Sequence, residues 1–194
     1  MMQNRKLNLD DEPWENQIRI AKDGDPIHSL GAWIGNELDA ATPWEPILDK
    51  ITKSFACWNL GHLTLDGKRL IVQMLAGGMT QFLTKAQGMP KQIETALTKI
   101  IRNFIWDGAR SPPMSLARLQ RPLDEGGINL LDIPARNQAI EITWLSKYVD
   151  TSASRPTWAF VTDALINTLR PEGIKNTTDL AAFLTSWSPP MQGP

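Results

Sequence analysis

Apolar residues recur at helical spacing through the middle of the chain, and this pattern limits the fold more than any other feature. One such stretch runs from Trp44 to Trp58, a second from about Asp66 to Ala86, and a third starts at Pro90. Each predicts a helix with one buried face. The apolar positions are Trp44, Ile47, Leu48, Ile51, Phe55 and Trp58 in the first; Leu70, Ile71, Met74, Leu75, Phe82 and Leu83 in the second; and Ile93, Leu97, Ile100, Ile101 and Phe104 in the third.

Start and stop signals bracket these stretches. The order Thr42-Pro43-Trp44-Glu45 has the spacing of a capping box with proline in the first helical position, so the first helix should begin there. We expect it to end near Asn59, just before Gly61. The pair Gly77-Gly78 interrupts the second stretch, which predicts either a kink or the close approach of another backbone. Ser111-Pro112-Pro113 should end any helix that reaches it.

The regions on either side carry other signals. Residues 18–35 contain two short runs of strand formers around Asp23-Gly24, which predicts a hairpin with a tight turn at that pair. The pair Gly126-Gly127 predicts a turn that needs positive φ, and the following "INLLDI" predicts a short strand. A helix should start at Pro134 and pass through Ile140, Trp144 and Tyr148. Amphipathic stretches follow at 156–169 and 177–187, the latter with Leu180, Phe183, Leu184 and Trp187. The expected fold class is mostly α, with a short N-terminal β-hairpin followed by a multi-helix bundle.

The charge is distributed unevenly along the chain. Residues 44–122 contain 11 Lys/Arg and 5 Asp/Glu, a net charge of +6, whereas residues 1–43 sum to −4 and residues 123–194 to −3. A basic middle segment favours a polyanionic partner for that segment alone. An ordinary solvated helical face explains the same charges equally well. The eight tryptophans are expected mostly as core or interface anchors, with base stacking as the other role.

No constellation of catalytic or metal-binding residues is visible. Cys57, His28 and His62 are too few and too scattered for a zinc site, and Cys57 is expected as an unreactive core cysteine. The pair Asp10-Asp11 lacks the flanking strands of a polymerase metal site, so we interpret it as a solvated acidic cluster. We therefore expect no cofactor and no catalytic activity from this chain by itself.

Targeting signals are likewise not visible. A single cysteine excludes an internal disulfide, and the longest apolar stretch, "LIVQMLAGGM", is about half the length of a membrane crossing. The first residues lack the apolar core of a signal peptide. These features predict a soluble intracellular protein, in the nucleus or the cytoplasm.

Several short motifs occur in a fixed order. They are Leu30-Gly31 in "IHSLGAWIG"; Trp58 followed by Gly67-Lys68 in "LTLDGKRLIVQM"; Pro90 followed by "FIWDG"; and Pro122, Gly126, Gly127, Asp132 and Trp144. This order resembles the segment downstream of the catalytic motifs in LINE-type (non-LTR) retrotransposon reverse transcriptases. The resemblance covers residues 18–150, and the last forty residues resemble the fungal members of that group more weakly. Gln73 and Leu123 depart from it, since the family commonly has lysine at both positions.

The resemblance implies a division of the chain into four parts. Residues 1–43 would be an acidic leader and a hairpin like the primer grip, with Leu30 and Gly31 as its Leu-Gly pair. Residues 44–110 would be a thumb-like helical bundle, 111–150 the Gly-Gly turn and a linking helix, and 151–194 a helical C-terminal extension with a Pro-rich tail. The fingers and palm, with the catalytic aspartates, are expected to lie outside this chain.

The same resemblance implies a partner. A polymerase thumb closes over the primer–template duplex, so we expect phosphate contacts to an RNA–DNA or RNA duplex. Lys68 is the first candidate, because it opens a helix where the family has arginine; the others are Arg69, Lys91, Lys99 and Arg102. The missing palm and fingers would be a second partner, no membrane partner is expected, and self-association is possible. The alternative is a truncated retroelement remnant that acts as a helical structural or protein-interaction domain, without nucleic-acid binding.

Overall fold

A computed structural model describes Lys22 and residues 24–25, 27–35 and 39–168. The strands are β1 (Ile27–Ser29) and β2 (Ala32–Ile34). The α-helices are α1 (Glu45–Asn59), α2 (Leu65–Val72), α3 (Gly78–Gln87), α4 (Lys91–Ile105), α5 (Leu116–Gln120), α6 (Ile133–Val149) and α7 (Thr157–Thr168). The predicted fold class, mostly α with a hairpin near the N-terminus, is confirmed. The expectations for Asp10-Asp11 and for residues 177–187 lie outside the described residues.

The chain divides into two compact units, Met1–Ile140 and Glu141–Pro194, so that the boundary falls inside α6. The first unit contains the hairpin, α1 to α5 and the first half of α6. The second contains the rest of α6 and α7. The predicted helix from Pro134 and the predicted stretch at 156–169 correspond to α6 and α7 and are confirmed.

The hairpin that the structure describes lies just after Asp23-Gly24. A turn is also present at that pair, since the Asp25 N–H donates to Lys22 O at 2.9 Å and Gly24 has φ 86°. Strands β1 and β2 are antiparallel, with Ile27 opposite Ile34 and Ser29 opposite Ala32, so Leu30 and Gly31 make the two-residue turn. Both have positive φ, at 50° and 84°, which is the backbone of a type I′ turn. The residue pattern did not predict this second turn, because a leucine rarely adopts a positive φ and nothing in its side chain signals one. The strand predicted before Asp23-Gly24 lies outside the described residues.

Helix α1 begins later than the capping box predicts. A short 3₁₀ turn, Thr42–Trp44, precedes Glu45, and the Thr42 hydroxyl donates to Asp39 Oδ2 at 3.3 Å rather than accepting from the helix. The predicted cap is therefore wrong, whereas the predicted end at Asn59 is confirmed. Cys57 is exposed, which corrects its assignment to the core. The apolar stripe turns away from the core at the end of α1, since Trp58 is also exposed.

The second predicted helix is one continuous helical stretch with an irregularity at the glycines. Thr64 Oγ1 accepts from the Gly67 N–H at 3.2 Å and caps α2, and a π-helical turn, Gln73–Gly77, joins α2 to α3. A Cβ on Gly77 would lie 3.3 Å from Leu131 Cδ2, so the close neighbour at this glycine is a side chain rather than the predicted backbone. The predicted apolar face is only partly buried: Leu70, Met74 and Phe82 are exposed.

The core of the first unit lies where α1, α2 and α4 meet. Phe55 and Phe104 stack with ring centroids 4.1 Å apart at its centre. The buried members are Ile51, Phe55, Val72, Ala76, Leu97, Ile101, Phe104, Ile105, Leu119, Leu130 and Ile133. A second cluster, Trp44, Leu83 and Ile93, receives Trp33 from the hairpin. Because the α4 positions predicted to be apolar lie in or against these clusters, the opposite face of α4 is left exposed.

The segment between α4 and α6 is held by backbone hydrogen bonds, without a strand. The N–H groups of Ile128 and Leu130 donate to Leu119 O at 3.0 and 3.1 Å, and the Asn129 N–H donates to Arg121 O at 3.0 Å. The predicted strand over "INLLDI" is therefore wrong: Asn129 has a left-handed φ of 52°, and the backbone acceptors of the segment lie at the end of α5 rather than on another strand. Asp132 then caps α6, since its Oδ1 accepts from the Ala135 N–H at 3.1 Å.

The two glycines of this segment have different roles. Gly126 has φ 76° in the left-handed region, which confirms the turn that was predicted there. Gly127 is buried, and a Cβ on it would lie 2.0 Å from Arg121 O. Gly126 is thus needed for its left-handed backbone conformation, and Gly127 is needed because a side chain there would collide with the backbone of Arg121.

Candidate nucleic-acid interface

Three of the predicted contact residues lie along the exposed side of α4. Lys91, Lys99 and Arg102 line a groove of about 330 Å³ together with Glu94, Thr95, Thr98 and, from α6, Pro134. Lys91 and Arg102 are eleven residues apart, which corresponds to about 16 Å along the helix axis. The structure therefore brings three of the five predicted basic residues onto one surface, here called the α4 groove.

The positive charge of the α4 groove is greatest at its C-terminal end. Lys91 pairs with Glu94, so its charge is largely compensated. Arg102 Nη2 donates to the carbonyl oxygen of Arg110 at 3.2 Å, which fixes the guanidinium while leaving its charge uncompensated. Within residues 39–168, neither Lys99 nor Arg102 forms an ion pair. Lys99 and Arg102 are thus the groove cations that have charge to offer a phosphate.

The first candidate, Lys68, is not available for a phosphate contact. Its side chain is only 7% exposed, and Nζ donates to Phe104 O at 3.0 Å, to Ile105 O at 3.3 Å and to Asp107 Oδ1 at 2.6 Å. An ammonium has three N–H donors, and these acceptors use all of them. The prediction for Lys68 is corrected: this lysine satisfies the last carbonyls of α4, where a cation also complements the helix dipole.

Arg69 follows Lys68 but points to a different environment. Its Nε donates to Asp66 Oδ1 at 2.8 Å, an ion pair within the first turns of α2. It is not among the residues that line the α4 groove. The two residues are adjacent in sequence and were predicted as one basic pair. In the structure the Lys68 side chain is buried, whereas Arg69 pairs with the carboxylate of Asp66.

The Leu30-Gly31 pair lies at the tip of the hairpin. Leu30 is 95% exposed, whereas Gly31 packs on α3: a Cβ there would lie 2.8 Å from Phe82 Cε1. The side chain of Gln87 fixes the outer edge of β2, because Oε1 accepts from the Trp33 N–H at 3.0 Å and Nε2 donates to Trp33 O. The hairpin is thereby attached to α3 through a side chain that the sequence patterns did not single out.

A buried polar network beneath the α4 groove was also missed. Arg136 Nη1 donates to Gly77 O and Thr80 Oγ1, at 3.3 and 2.7 Å, and its Nη2 donates to Asn137 Oδ1 at 2.9 Å. Asn137 Nδ2 donates in turn to Glu94 Oε2 at 3.0 Å. Burial lowers the pKa of Arg136, and the charge of Glu94 partly offsets that effect. The available signal was an Arg-Asn pair three and four residues after buried Ile133, on the inward face of an amphipathic helix.

The described residues contain no group of three or more His, Cys, Asp or Glu side chains that could hold a metal ion. None of the helices in this part of the chain is both long and apolar enough to cross a membrane. A small cleft of about 210 Å³ lies between the C-terminal ends of α1 and α4, lined mainly by Phe55, Asn59, Asn103 and Asp107.

The α4 groove is therefore the surface on which Lys99 and Arg102 could meet an anion, with Thr95 and Thr98 between them and Lys91. The two threonine hydroxyls donate within α4, to Lys91 O at 2.9 Å and to Glu94 O at 2.7 Å, so their contribution to the surface is shape rather than donors. Comparison of the chain with protein-family models, with curated proteins and with solved structures finds no match.

Proposed function

We propose that this chain is a thumb and post-thumb segment of a LINE-type reverse transcriptase, and that it holds a primer–template duplex through phosphate contacts without catalysing a reaction itself. The observation that carries the proposal is the pair Lys99 and Arg102, uncompensated on the exposed face of α4. The order of motifs in the sequence and the helical fold behind a short hairpin support it.

The groove has the properties expected of duplex binding without base readout. Its cations lie along a rigid helix whose other face is buried in the core, so their spacing does not depend on a loop. It offers charge and a shallow shape rather than an array of hydrogen-bond donors for base edges, and this suits recognition of phosphates and A-like geometry. A weak, salt-sensitive complex is expected from the two full charges of Lys99 and Arg102 and the largely compensated charge of Lys91.

The direct test is fluorescence anisotropy of the full chain with a labelled RNA–DNA hybrid at several salt concentrations. We expect a Kd in the micromolar range or weaker, with a log–log salt slope that reflects roughly two to three phosphate contacts. Lys99→Ala should lower that slope by about one. Lys50→Ala is the matched control, since Lys50 is an exposed lysine of α1 outside the groove, and it should leave the slope unchanged.

The competing function is a retroelement remnant that binds protein rather than nucleic acid. It is favoured by the apolar side chains exposed on α6 and α7, among them Trp144 and Phe160. If the folded chain gives no anisotropy change with the hybrid at low salt, the duplex proposal is wrong and this one stands. If Lys50→Ala and Lys99→Ala weaken binding equally, the contact is non-specific attraction to a polyanion.

A further inference from the structure

The turn just past α4 places the backbone of Arg110 beside the side chain of Arg102. The Gly108 N–H donates to Asn103 O at 2.8 Å, which turns the chain back toward the helix. Arg102 Nη2 then donates to the carbonyl oxygen of Arg110 at 3.2 Å. The exposed Arg110 side chain therefore starts from a backbone position that is fixed against Arg102.

The carboxylate that lies between these two arginines in sequence does not neutralise them. Asp107 pairs with Lys68, whose Nζ lies 2.6 Å from Oδ1. Within residues 39–168, no ion pair involves Arg102 or Arg110. Residues 108–121 contain three arginines and no Asp or Glu, a net charge of +3. The two guanidinium groups thus carry uncompensated charge at the C-terminal end of the α4 groove.

The dipole of α4 opposes this charge less than that of a free helix end would. The last carbonyl oxygens of a helix carry partial negative charge, which disfavours an anion nearby. At α4, Lys68 Nζ donates to Phe104 O at 3.0 Å and to Ile105 O at 3.3 Å. A buried cation therefore compensates these two oxygens from inside, and the arginines outside remain attractive to an anion.

Two guanidinium groups in this arrangement suit a phosphate. Each guanidinium has five N–H donors in a planar fork, and phosphate oxygens accept such donors in pairs. Arg102 uses a donor of Nη2 on the Arg110 carbonyl, which fixes the plane of its guanidinium and leaves its other donors for a ligand. Because the Arg110 backbone touches that guanidinium, the Arg110 side chain is long enough to reach an anion that Arg102 binds.

We propose that Arg102 and Arg110 hold one backbone phosphate of the duplex between them, so that the bound duplex continues past α4 onto the turn before α5. The inference rests on the proposed function, and it adds to the α4 groove a residue that the sequence patterns did not select. Arg110 is the second half of a two-arginine phosphate site whose first half is Arg102.

The test is fluorescence anisotropy of the full chain with the labelled RNA–DNA hybrid. Arg110→Ala removes the side chain but keeps the carbonyl oxygen that Arg102 binds, so the turn is retained. The Kd should rise by up to about fivefold, the size of one exposed ion pair. Arg118→Ala is the matched control, because this exposed arginine lies over the Gly126 turn, where a Cβ on the glycine would be 3.2 Å from Arg118 Nη2. It should change the Kd little.

The double variant Arg102→Ala/Arg110→Ala tests whether one phosphate meets both arginines. A phosphate shared by two cations stays neutralised when one of them is removed. The log–log salt slope should therefore fall by less than one for Arg110→Ala and by about one for the double variant. The double variant should also lose less affinity than the product of the two single losses. Far-ultraviolet circular dichroism confirms that each variant is folded at the temperature of measurement.

The source of the phosphate is tested with two hybrids, one with and one without a 5′-phosphate. A backbone phosphate is present in both, so Arg110→Ala should weaken both complexes equally. An effect seen only with the 5′-phosphate would overturn the backbone contact in favour of a terminal phosphate.

The remaining outcomes separate this proposal from the proposed function. Slopes lower by about one for Arg110→Ala and by about two for the double variant mean two separate phosphates, and overturn the shared site. Equal effects of Arg110→Ala and Arg118→Ala, while Lys99→Ala still lowers the slope, overturn the Arg110 contact and leave duplex binding by the α4 groove intact. If the folded chain does not bind the hybrid at low salt, both proposals are overturned.

Discussion

The ammonium of Lys68 lies 2.6 Å from Asp107 Oδ1, across 39 residues of sequence, and this contact joins the start of α2 to the end of α4. Asp107 and Gly108 both have positive φ, at 50° and 75°, so the chain turns sharply just past α4. Lys68 holds that turn from inside, because it also binds the carbonyl oxygens of Phe104 and Ile105. Lys68 is therefore a cap for the C-terminal end of α4.

Replacement of Lys68 should therefore affect stability. Lys68→Met keeps the length of the side chain but leaves two buried carbonyl oxygens without a donor, which should cost about 2 kcal/mol of unfolding free energy. Urea denaturation followed by circular dichroism measures this. Arg69→Met is the matched control, since it breaks an exposed ion pair with Asp66 and should cost less than about 1 kcal/mol. Equal costs would show that Lys68 is not the buried cap.

Lys68→Met should also leave duplex binding unchanged. Its three N–H donors are used inside the protein, so its removal takes no charge from the α4 groove. The log–log salt slope of the hybrid complex should match that of the unchanged chain, measured where both variants are fully folded. A slope lower by one would place Lys68 on the phosphate surface and contradict the buried position.

Replacement of Glu94 should strengthen duplex binding. Because it compensates Lys91, Glu94→Gln should release a positive charge at the N-terminal end of the α4 groove while its amide oxygen still accepts from Asn137. Binding to the hybrid should strengthen by up to about fivefold, since one such ion pair is worth at most about 1 kcal/mol. Glu45→Gln, at the exposed start of α1, removes the same charge outside the groove and should change the affinity little. Weaker binding by Glu94→Gln would count against the groove.

The glycines of the chain differ in what a side chain would meet. Gly127→Ala places a Cβ against Arg121 O, so the backbone between α5 and α6 must move, and we expect a loss of about 3 kcal/mol. Gly78→Ala places a Cβ in open space inside a continuous helix and should stabilise by about 0.5–1 kcal/mol. Urea midpoints of the two variants should therefore move in opposite directions. A shift of the same sign in both would refute the close approach at Gly127.

Tyr148 is the single tyrosine of the chain, so its ionisation can be followed by ultraviolet absorbance. Burial raises its pKa above the ordinary value of 10.0, and the hydrogen bond to Asp163 raises it further. The phenol therefore stabilises the contact between α6 and α7 below pH 10, and this contribution is lost as the pH rises through the folded pKa. Asp163→Asn should lower the midpoint, whereas Asp150→Asn should not, because Asp150 is not a cause of the shift.

The pKa of Asp163, which accepts the Tyr148 hydrogen bond, shifts in the opposite direction. Arg155 holds the pKa of Asp163 below its ordinary value of 3.8, so the carboxylate stabilises the fold above that value. This contribution disappears as the pH falls through the lower, folded pKa. Amide exchange of α7 peptides should accelerate on acidification relative to α4 peptides, after correction for intrinsic rates. Asp163→Asn should abolish that difference.

Periodicity predicted α1, α4 and the first half of α6 well, because each has one face against a core and one face in solvent. It failed to predict that Leu70, Met74 and Phe82 would be exposed, since an apolar pattern does not say whether a partner is present to cover it. The π-helical turn also rotates the side chains beyond Gly77 about the helix axis. A fixed period of 3.6 residues therefore no longer predicts which of them are buried. The strand over "INLLDI" failed for a related reason: its hydrogen-bond acceptors are helix-end carbonyls, which only the tertiary structure supplies.

The candidate site was predicted in part. Lys91, Lys99 and Arg102 were found from their positions opposite Ile93, Leu97 and Ile101 on one helix. Lys68 was misassigned because its place at the start of a helix suggested an exposed cation, whereas its partners in space are carbonyl oxygens 36 and 37 residues away. Arg136 and Gln87 were missed because a buried or edge-fixing polar residue leaves no periodic signal in the sequence.

Gln87 is the side chain through which α3 binds the hairpin, and its replacement gives a local test of that attachment. Gln87→Ala leaves the N–H and carbonyl of Trp33 to water, at a cost of about 1 kcal/mol, so amides of β2 should exchange about fivefold faster. Gln81→Ala, an exposed glutamine of α3 with no such contact, should leave those amides unchanged. If β2 exchange is the same in both variants, the packing of Trp33 on Trp44, Leu83 and Ile93 is what holds the hairpin, and the edge contact is incidental.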